Sequence, residues 1–445
     1  MRSCCQAFLL ILFCAVPAVT AEAQQINLPA QIVDGVRVTL QVIGLPARTP
    51  VTIRAQRIEA SGAQFTSEAS FVSNDAGIVD PAIASSVSGD YRGLDAAGLF
   101  WSMRPLTGKT DQRSRVTITA SINGAAVATA TAPLFDPATL VETIEVSEFV
   151  GARLYRPQGE GRLPVIIVLG GSEGGSSFGR RMGPQLAMLG YAALALPYYN
   201  PSWNNEELPG LPTAFVDVPV DRLDAVHRWI RGRPDLDQQR IGIYGVSKGG
   251  EFAMIAATRY RWLRAVVGIV PSDVVWEGWG QPALDGTLSS FSWRGRPLPF
   301  TPYFDIGPTI AALERGEPAS LAFAHAQGRR NAPDRAGASR IPVERFAGTM
   351  LVAGGERDRT WPSGTMVQAI AERRAAARRK TIALVYPEAG HGLAMTGWEP
   401  MNYPGNQTLI ADAAASQAIW QRTKELLEEA MAKPRGVSAM YSPIR

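Results

Sequence analysis

Thiols and histidines are scarce in this chain, which limits the chemistry open to it. Its 445 residues include three cysteines and three histidines. The cysteines are Cys4, Cys5 and Cys14, so the chain beyond them has no disulfide and no thiol nucleophile. Scattered histidines without an H-E-x-x-H motif leave no plausible zinc cage, and no Walker or dinucleotide-binding fingerprint occurs. The sequence therefore predicts neither a metal site nor a cofactor.

Charge of one sign is not concentrated anywhere either. The chain has 44 lysines and arginines and 40 acids, for a net charge of +4, and the two kinds are interleaved. The densest basic stretch, residues 373–380, ends a predicted helix, where positive charge complements the helix dipole. We interpret it as a solvated surface and predict no nucleic-acid partner. An anionic substrate and an acidic envelope surface stay open as alternatives.

Long apolar runs are missing outside the N-terminus. Arg2 precedes an apolar run over residues 7–19, and Ala21-Glu22-Ala23 forms a small-x-small cleavage site. This pattern predicts a signal peptide over residues 1–23. A retained N-terminal anchor is the alternative, although the run is short for a membrane span. No later stretch predicts a transmembrane helix, so we expect an exported protein, periplasmic or secreted.

Short alternating segments fill residues 24–138. Val36–Ile43 and Arg115–Ile122 alternate apolar and polar residues, and Asn123-Gly124 is a hairpin signal. Regular short strands without helices predict a small β-sandwich domain of immunoglobulin-like type. The region carries no histidine or acidic cluster. Three roles stay open for this domain: packing on the rest of the chain, shaping the mouth of a site, and binding a partner.

From residue 139 to 432, buried strands alternate with helical patterns. Val165–Leu169 and Ala192–Leu196 are continuous apolar runs, which are typical of parallel strands covered on both faces. Strands alternating with helices predict a mostly parallel sheet between helical layers, and we interpret this region as an α/β-hydrolase domain. A cap-like insertion over residues 271–345 interrupts it. Residues 433–445 are predicted to be a loose tail.

One pentapeptide, Gly245-Val-Ser247-Lys-Gly249, stands between a predicted strand and a predicted helix. This is the strand–turn–helix context of a G-x-S-x-G nucleophile elbow. Small residues are needed on both sides because a serine on so sharp a turn has little room. Ser247 is therefore the predicted nucleophile, and the backbone N–H of Lys248 is a predicted oxyanion-hole donor.

A second match to the same motif, Gly170-Gly171-Ser172-Glu173-Gly174, follows a strand two units earlier. In α/β-hydrolases this turn supplies an oxyanion-hole N–H, so Gly171 and Ser172 are assigned to that role. The reverse assignment, with Ser172 as the nucleophile, is the alternative. For Glu173, a contact with substrate and a plain exposed loop acid are both open.

The partners of the serine should follow in the order acid and then histidine. His391 lies between alanine-glycine and glycine just past a predicted strand, at the sheet edge where ligands meet open α/β folds. His227 and His325 lie in helical segments and are predicted to be structural. Asp358 follows the preceding strand, with Glu356 as the competing acid. In this prediction His391 is the general base and then acid, and Asp358 orients it.

Aromatic side chains concentrate in the insertion. The predicted substrate-binding residues come from it and from the loop after the second strand: Trp203, Trp276, Trp279, Trp293 and Tyr303. Such a loop beside the sheet edge suggests a cap that lines an apolar acyl or ring pocket. A separate small core beneath a long loop is the alternative, and both can hold.

Eight segments of the chain resemble the acyl-CoA thioesterase / bile acid-CoA:amino acid N-acyltransferase family. In the first region they include Gly44–Pro46, Val51–Ala55 and Gly77–Asp80, and in the second they include Leu169–Gly171. The other four are Gly98–Met103, Gly245–Glu251, Gly354–Asp358 and Tyr386–His391. The likeness extends over nearly all of the chain after the predicted signal peptide, and the combination is far more specific than G-x-S-x-G alone. The resemblance implies an α/β-hydrolase fold that acts on acyl thioesters.

The family's nucleophile, acid and histidine map by motif onto Ser247, Asp358 and His391. Transferase members use cysteine as the nucleophile, so serine implies the hydrolytic branch. One departure is that the family's acyl-CoA substrates are intracellular, whereas this chain is predicted to be an exported, bacterial-type member. We therefore predict a serine hydrolase whose partner is a small-molecule acyl ester or thioester. An acyltransferase to a small amine or alcohol, and a binding protein on a hydrolase scaffold, are the alternatives.

Overall fold

The computed structural model describes residues 23–159, 161–201, 204, 208–280, 287–315, 317, 319–402 and 406–431. Three predicted features lie outside these described residues: the signal peptide up to residue 22, the tail over residues 433–445, and Trp203. Two architectures follow one another along the described chain, the first built of strands and the second of strands and helices.

The first region consists almost wholly of strands. Its elements are β1 (Gln25–Asn27), β2 (Ile32–Val33), β3 (Gln41–Ile43), β4 (Pro50–Ile58), β5 (Ala63–Val72), β6 (Ser88–Gly89), α1 (Gly98–Trp101), β7 (Arg104–Lys109), β8 (Arg115–Ile122) and β9 (Ala125–Phe135). One sheet has the order β2-β9-β8-β4-β5-β6, with β7 also paired to β5, and β1 pairs with β3 separately. The β8–β9 hairpin turns at Asn123 and Gly124, whose φ angles are 51° and 81°, as the Asn-Gly signal predicts. The predicted all-β character is confirmed, and the immunoglobulin-like assignment stays a prediction.

The second region alternates strands and helices. Its elements are β10 (Glu142–Glu145), β11 (Arg153–Arg156), β12 (Leu163–Leu169), α2 (Ser177–Met188), β13 (Ala192–Ala195), β14 (Val218–Pro219), α3 (Leu223–Arg231), β15 (Leu236–Val246), α4 (Lys248–Arg259), β16 (Leu263–Ile269), β17 (Phe291–Trp293), β18 (Arg296–Pro297), α5 (Ile306–Glu314), α6 (Leu321–Asn331), α7 (Pro333–Ala338), β19 (Thr349–Gly355), α8 (Ser363–Ala376), β20 (Thr381–Tyr386) and α9 (Leu409–Met431). Within the described part of the chain, no helix combines the length and the apolar character that crossing a bilayer requires.

The central sheet has the order β10-β11-β13-β12-β15-β16-β19-β20. Neighbours from β13 to β20 are parallel, and β10 and β11 add an antiparallel edge. Val165 and Ile167 of β12 face one core while Ile166 and Val168 face the other, because successive strand residues point to opposite faces. Helices α3, α4 and α8 cover the first face, and α2 and α9 cover the second. This is the α/β-hydrolase fold predicted from the alternating pattern.

The predicted site residues leave the sheet at one edge. Ser247 follows β15, Gly171 follows β12, Asp358 follows β19 and His391 follows β20. Because these strands are parallel, their carboxyl ends lie side by side, and segments distant in sequence meet there. The fold therefore supplies one common location for the predicted chemistry.

The insertion is fastened to the helix that begins at the predicted nucleophile. Its strands β17 and β18 form a three-stranded sheet with β14. The Trp276 backbone N–H donates to Glu251 of α4 (3.0 Å), and Lys248 of α4 donates to the Ser290 hydroxyl (2.9 Å). The first two turns of α4 are thus tied to the insertion above them.

The all-β region packs on the segment that follows His391. The Thr396 hydroxyl donates to the Gly35 carbonyl oxygen at 2.8 Å, and the Met401 N–H donates to the Trp101 carbonyl oxygen at 2.9 Å. Met401 is also buried in the core formed by the all-β strands. Among the roles that the sequence left open for this region, these contacts favour packing on the α/β domain.

Candidate active site

Ser247 occupies the turn between β15 and α4 in a strained backbone conformation. Its φ and ψ angles are 54° and −119°, in a region that costs a non-glycine residue on the order of 1–3 kcal/mol. A methyl group placed on Gly245 would lie 2.1 Å from the Gly249 carbonyl oxygen, and one on Gly249 would lie 2.2 Å from the Gly170 carbonyl oxygen. The turn therefore requires glycine on both sides, which explains the G-x-S-x-G spacing.

Hydrogen bonds join three of the predicted residues in a row. His391 Nε2 lies 3.0 Å from Ser247 Oγ, and His391 Nδ1 lies 2.7 Å from Asp358 Oδ2. A neutral imidazole with its proton on Nδ1 donates to the carboxylate and accepts from the serine hydroxyl. The structure thus brings these side chains into an arrangement in which a serine can lose its proton to a base.

The Asp358 carboxylate is held by further donors. Its Oδ1 accepts the backbone N–H groups of Thr360 (2.8 Å) and Trp361 (3.2 Å), and its Oδ2 accepts the Ser363 hydroxyl (2.6 Å) as well as His391. The competing acid, Glu356, is exposed and lies against Gln368. The structure therefore brings Asp358, and not Glu356, to the histidine.

Charges around His391 favour its protonated form. Burial lowers the pKa of the imidazole, but the carboxylates of Asp358, Glu173 and Asp412 together raise it by more, so its pKa lies above the usual value. Asp412 also accepts the backbone N–H of Gly390 at 2.6 Å and so fixes the residue before the histidine. These acids stabilise the imidazolium that forms when a serine gives up its proton.

The turn after β12 adjoins the serine. A methyl group placed on Gly171 would lie 3.1 Å from Ser247 Cβ, so the turn that holds Gly171 and Ser172 lies beside the hydroxyl. The backbone N–H of Lys248 is in the first turn of α4, where helix geometry provides no intrahelical acceptor. The turn after β12 and the first turn of α4 therefore both adjoin Ser247, and the histidine bonds to Ser247 and not to Ser172.

One predicted donor is already engaged by an acid. The Gly171 N–H donates to Glu173 Oε1 at 2.9 Å. Glu173 as a whole residue is exposed, but desolvation of its carboxyl group raises the pKa of that group. The hydrogen bond from the Gly171 N–H and the nearby His391 partly offset that shift. Of the two interpretations that the sequence left open for Glu173, neither anticipated this contact.

The Lys248 side chain lies beneath the insertion in a buried ion pair. Its Nζ donates to Glu251 Oε2 at 2.6 Å and lies 5.0 to 5.3 Å from three ring centroids, those of Phe215, Trp279 and Phe291. Burial lowers the pKa of Lys248 and raises that of Glu251, and their mutual attraction opposes both shifts. The sequence assigned a role to the Lys248 backbone alone and did not predict this buried ion pair of the side chain.

Two of the predicted substrate-binding residues belong to a buried aromatic cluster. Trp276 is fully buried, stacks on Tyr303 with centroids 5.8 Å apart, and donates its indole N–H to Ser272 at 2.8 Å. His325 meets both rings edge-on, and burial lowers its pKa to about 3. Trp276 is enclosed, as the alternative of a separate core beneath the insertion predicts, and its contact with substrate stays a prediction.

The other tryptophans of the insertion lie in different places. Trp279 stacks on Phe215 with centroids 4.4 Å apart and meets Tyr199 edge-on at 6.3 Å. The Tyr199 carbonyl oxygen accepts the Gly175 N–H at 2.9 Å, so Tyr199 stands between Trp279 and the glycine-rich turn after β12. Trp293 packs instead on Tyr260, just past the far end of α4, and the structure does not bring it to Ser247.

Three side chains near the hydrogen-bonded relay of Ser247, His391 and Asp358 were not predicted from the sequence. Ser363 bonds to Asp358, Asp412 fixes Gly390, and Trp361 meets the His391 ring edge-on with centroids 6.0 Å apart. None lies in a motif with a spacing signal.

His227 stacks on Trp262 and takes no part in the site. Among the described residues, no group of three or more His, Cys, Asp or Glu side chains is arranged to hold a metal ion.

Comparison with known proteins matches both regions of the chain. The model described as "Acyl-CoA thioester hydrolase/BAAT N-terminal region" matches residues 36–130, and that described as "BAAT / Acyl-CoA thioester hydrolase C terminal" matches residues 223–433. Together these two models cover well over half of the chain. The dienelactone hydrolase family model also matches residues 150–278.

Curated relatives match along most of their length. Acyl-coenzyme A thioesterase 1 of Rattus norvegicus is 27% identical over 380 residues, which cover 82% of this chain and 83% of the relative. Acyl-coenzyme A amino acid N-acyltransferase 2 of Mus musculus is 27% identical over 443 residues, which cover 91% and 97%. Mitochondrial acyl-coenzyme A thioesterase 2 of Homo sapiens is 26% identical over 400 residues, which cover 86% and 76%.

Proposed function

Since the chain belongs to the acyl-CoA thioester hydrolase/BAAT family, we propose that it is a serine hydrolase that cleaves an acyl thioester or a carboxylic ester through an acyl-enzyme. The observation that carries this proposal is the hydrogen-bonded row of Ser247, His391 and Asp358 at the elbow of the sheet. The names of the thioesterase relatives support the substrate class.

In the first half-reaction His391 Nε2 takes the proton of Ser247 Oγ as the oxygen attacks the acyl carbon. The carbonyl oxygen becomes an oxyanion, which accepts hydrogen bonds from the backbone N–H of Lys248 and from the Gly171–Ser172 turn. When the tetrahedral intermediate collapses, the bond from carbon to sulfur or oxygen breaks, and the leaving group receives the proton from His391. The acyl group remains bonded to Ser247.

In the second half-reaction a water molecule takes the place of the leaving group. His391 removes a proton from this water as it attacks the acyl carbon, and then returns the proton to Ser247 Oγ as the carboxylic acid leaves. Asp358 keeps the His391 proton on Nδ1 throughout and stabilises the imidazolium. Ser363 and the backbone donors of residues 360 and 361 hold Asp358 in place for this task.

The intact mass of the protein after exposure to a fluorophosphonate tests the proposal. We expect one adduct, which is retained in Ser172→Ala and lost in Ser247→Ala. Hydrolysis of p-nitrophenyl esters and of acyl-CoA thioesters should be lost together with it in Ser247→Ala. An adduct that persists in Ser247→Ala, or undiminished turnover by that variant, would refute the assignment of the nucleophile.

Transfer of the acyl group to an amine is the second candidate, because an acyl-CoA amino acid N-acyltransferase is among the relatives. Product analysis with and without added glycine separates the two reactions. Free carboxylic acid as the sole product in both cases supports hydrolysis, whereas an N-acyl product supports transfer.

We also propose that the chain is exported after cleavage near residue 23. The support is the pattern of Arg2, the apolar run and Ala21-Glu22-Ala23. Export would place the enzyme away from intracellular acyl-CoA and would favour another ester or thioester as its substrate. Mass spectrometry of the mature N-terminus checks this proposal: a chain that still begins at Met1 would contradict it.

A further inference from the structure

A contact beside the nucleophile is left unexplained by the proposed mechanism. The Gly171 N–H donates to Glu173 Oε1 at 2.9 Å. A methyl group placed on Gly171 would lie 2.7 Å from Glu173 Oε2 and 3.1 Å from Ser247 Cβ. The carboxylate and the nucleophilic residue therefore lie on the same side of Gly171, no further apart than these two distances combined.

This contact conflicts with catalysis as long as it persists. An oxyanion hole works because its donors point at the oxygen on which negative charge develops. While Glu173 holds the Gly171 N–H, that donor is not available to an acyl carbonyl oxygen. An ionised carboxylate at this position would also repel the developing oxyanion.

We propose that Glu173 is a gating residue, whose carboxylate occupies the oxyanion hole until the carbonyl oxygen of an acyl substrate displaces it. The inference rests on the proposed function, since it takes the Gly171 N–H to be one of the working donors. A free carboxylate product resembles the gate chemically, so the same donor also binds product weakly while Glu173 is in place.

The loop allows the side chain to move while the donor stays fixed. The backbone is braced by the Gly174 N–H donating to the Gly171 carbonyl oxygen (3.3 Å) and by the Gly175 N–H donating to Tyr199. Glu173 itself is exposed, so its side chain can rotate into solvent. Among the described residues, the charged and titratable groups that act on it include Arg181 of α2, His391 and Tyr198, and Arg181 gives the displaced carboxylate a cation nearby.

Two variants separate a gate from a loop brace. Glu173→Ala frees the donor, and Glu173→Gln keeps a neutral acceptor of the same shape over it. We expect the second-order rate of fluorophosphonate labelling and kcat/KM for a neutral ester to rise about tenfold in Glu173→Ala, the factor of one charge-assisted hydrogen bond. Glu173→Gln should show a smaller rise. Glu356→Gln removes the charge of an exposed acid that bonds to none of Ser247, His391 and Asp358, and it should match the wild type.

Sodium acetate provides a readout that a bracing role would not produce. Glu173→Ala should become competitively inhibited by acetate, because the vacated donors accept an external carboxylate, whereas the wild type and Glu173→Gln should resist it. The acidic limb of kcat/KM should also move to lower pH in both variants, since His391 loses a neighbouring negative charge. Slower labelling in both variants without acetate inhibition would overturn the gate.

Failure of this inference is distinguishable from failure of the proposed function. Turnover retained in Ser247→Ala would defeat the proposed function whatever Glu173 does. Turnover that depends on Ser247 but falls in both Glu173 variants would defeat the gate alone and make Glu173 a brace of the oxyanion turn.

Discussion

Ser363 donates a hydrogen bond of 2.6 Å to the oxygen of Asp358 that also faces His391. The same serine oxygen accepts the backbone N–H of Gly355 at 3.1 Å. Ser363 begins α8, so one hydroxyl connects the end of β19, the start of the next helix and the acid of the relay. The orientation of Asp358 is therefore set by the sheet edge itself.

Replacing Ser363 by alanine removes this support without removing the acid. We expect Ser363→Ala to lower kcat by about tenfold, in line with the loss of one hydrogen bond to a charged group. KM should be nearly unchanged because Ser363 does not face the substrate. Steady-state kinetics on one ester would measure both, and a change confined to KM would contradict the positioning role.

Asp358→Asn should be far more damaging than Ser363→Ala. An amide can donate to His391 Nδ1 and so favour the tautomer that cannot accept the serine proton, a defect worth on the order of 10⁴-fold in kcat. Glu356→Gln serves as the matched control, because Glu356 is exposed and bonds to Gln368. Equal losses in the two variants would show that the wrong acid has been assigned.

The pH dependence of kcat/KM should report the environment of His391. The base must be neutral to accept the serine proton, and its pKa is raised because the surrounding carboxylates outweigh the effect of burial. Activity should therefore be present above the raised pKa and fall as pH drops through it, with a midpoint above about 6.5. A midpoint below that value in the wild type would contradict the electrostatics described for the site.

Gly249→Ala tests the packing of the elbow. Its added methyl would lie 2.2 Å from the Gly170 carbonyl oxygen and 2.6 Å from that of Leu169, so the turn after β12 must shift. We expect a loss of about 1–3 kcal/mol in the free energy of unfolding and a fall in kcat of about 100-fold from the displaced oxyanion turn. Gly307→Ala, where a methyl group would meet nothing within 4 Å, is the control and should retain wild-type kinetics.

His325 should make the fold sensitive to acid. Burial lowers its pKa to about 3, so between about pH 6.5 and 3 the unfolded chain binds a proton that the folded chain does not. Stability is then lost as pH falls, by up to about 1.4 kcal/mol per pH unit. Urea unfolding at about pH 7 and pH 5 should show a loss smaller by roughly 2 kcal/mol in His325→Phe than in the wild type.

His227→Phe is the comparison for this effect. The pKa of His227 is also lowered by burial, but its ring lies on Trp262 at the surface of α3 and is only partly enclosed. Its replacement should reduce the acid sensitivity less than that of His325. An equal reduction would indicate that enclosure in the aromatic cluster is not what controls the His325 proton.

Local patterns were sufficient to predict the elements that depend on local geometry. The elbow at Ser247 needs glycine two residues before and after it, and the hairpin at Asn123-Gly124 needs two positive φ angles, so both appear as short motifs. The positions of Asp358 and His391 followed from strand order, because parallel strands end at one edge. These are the parts of the fold and site that sequence alone made accessible.

Features that depend on tertiary packing were not accessible in this way. Trp276 and Trp279 belong to the same aromatic-rich stretch, yet one is enclosed with Tyr303 and the other stacks on Phe215. Nothing in their spacing distinguishes them. The contact of Glu173 with Gly171 depends on a side-chain rotamer at a turn, and the bond from Ser363 to Asp358 depends on where α8 begins. Such features appear only when the surrounding atoms are placed.

The bond from Thr396 to Gly35 joins residues 361 positions apart. A chain synthesised from its N-terminus therefore exposes the surface around Gly35 long before its counterpart has been made. Met401 and Ala413 complete the core of the all-β region. The core of that domain therefore stays incomplete until nearly the whole chain has left the ribosome. Contacts of such long range slow folding and prolong the exposure of apolar surface. The segment that follows His391 thus also completes the packing of the all-β domain, which is synthesised first. The catalytic histidine and the first domain therefore reach their final positions together, so an active enzyme is a completely folded one.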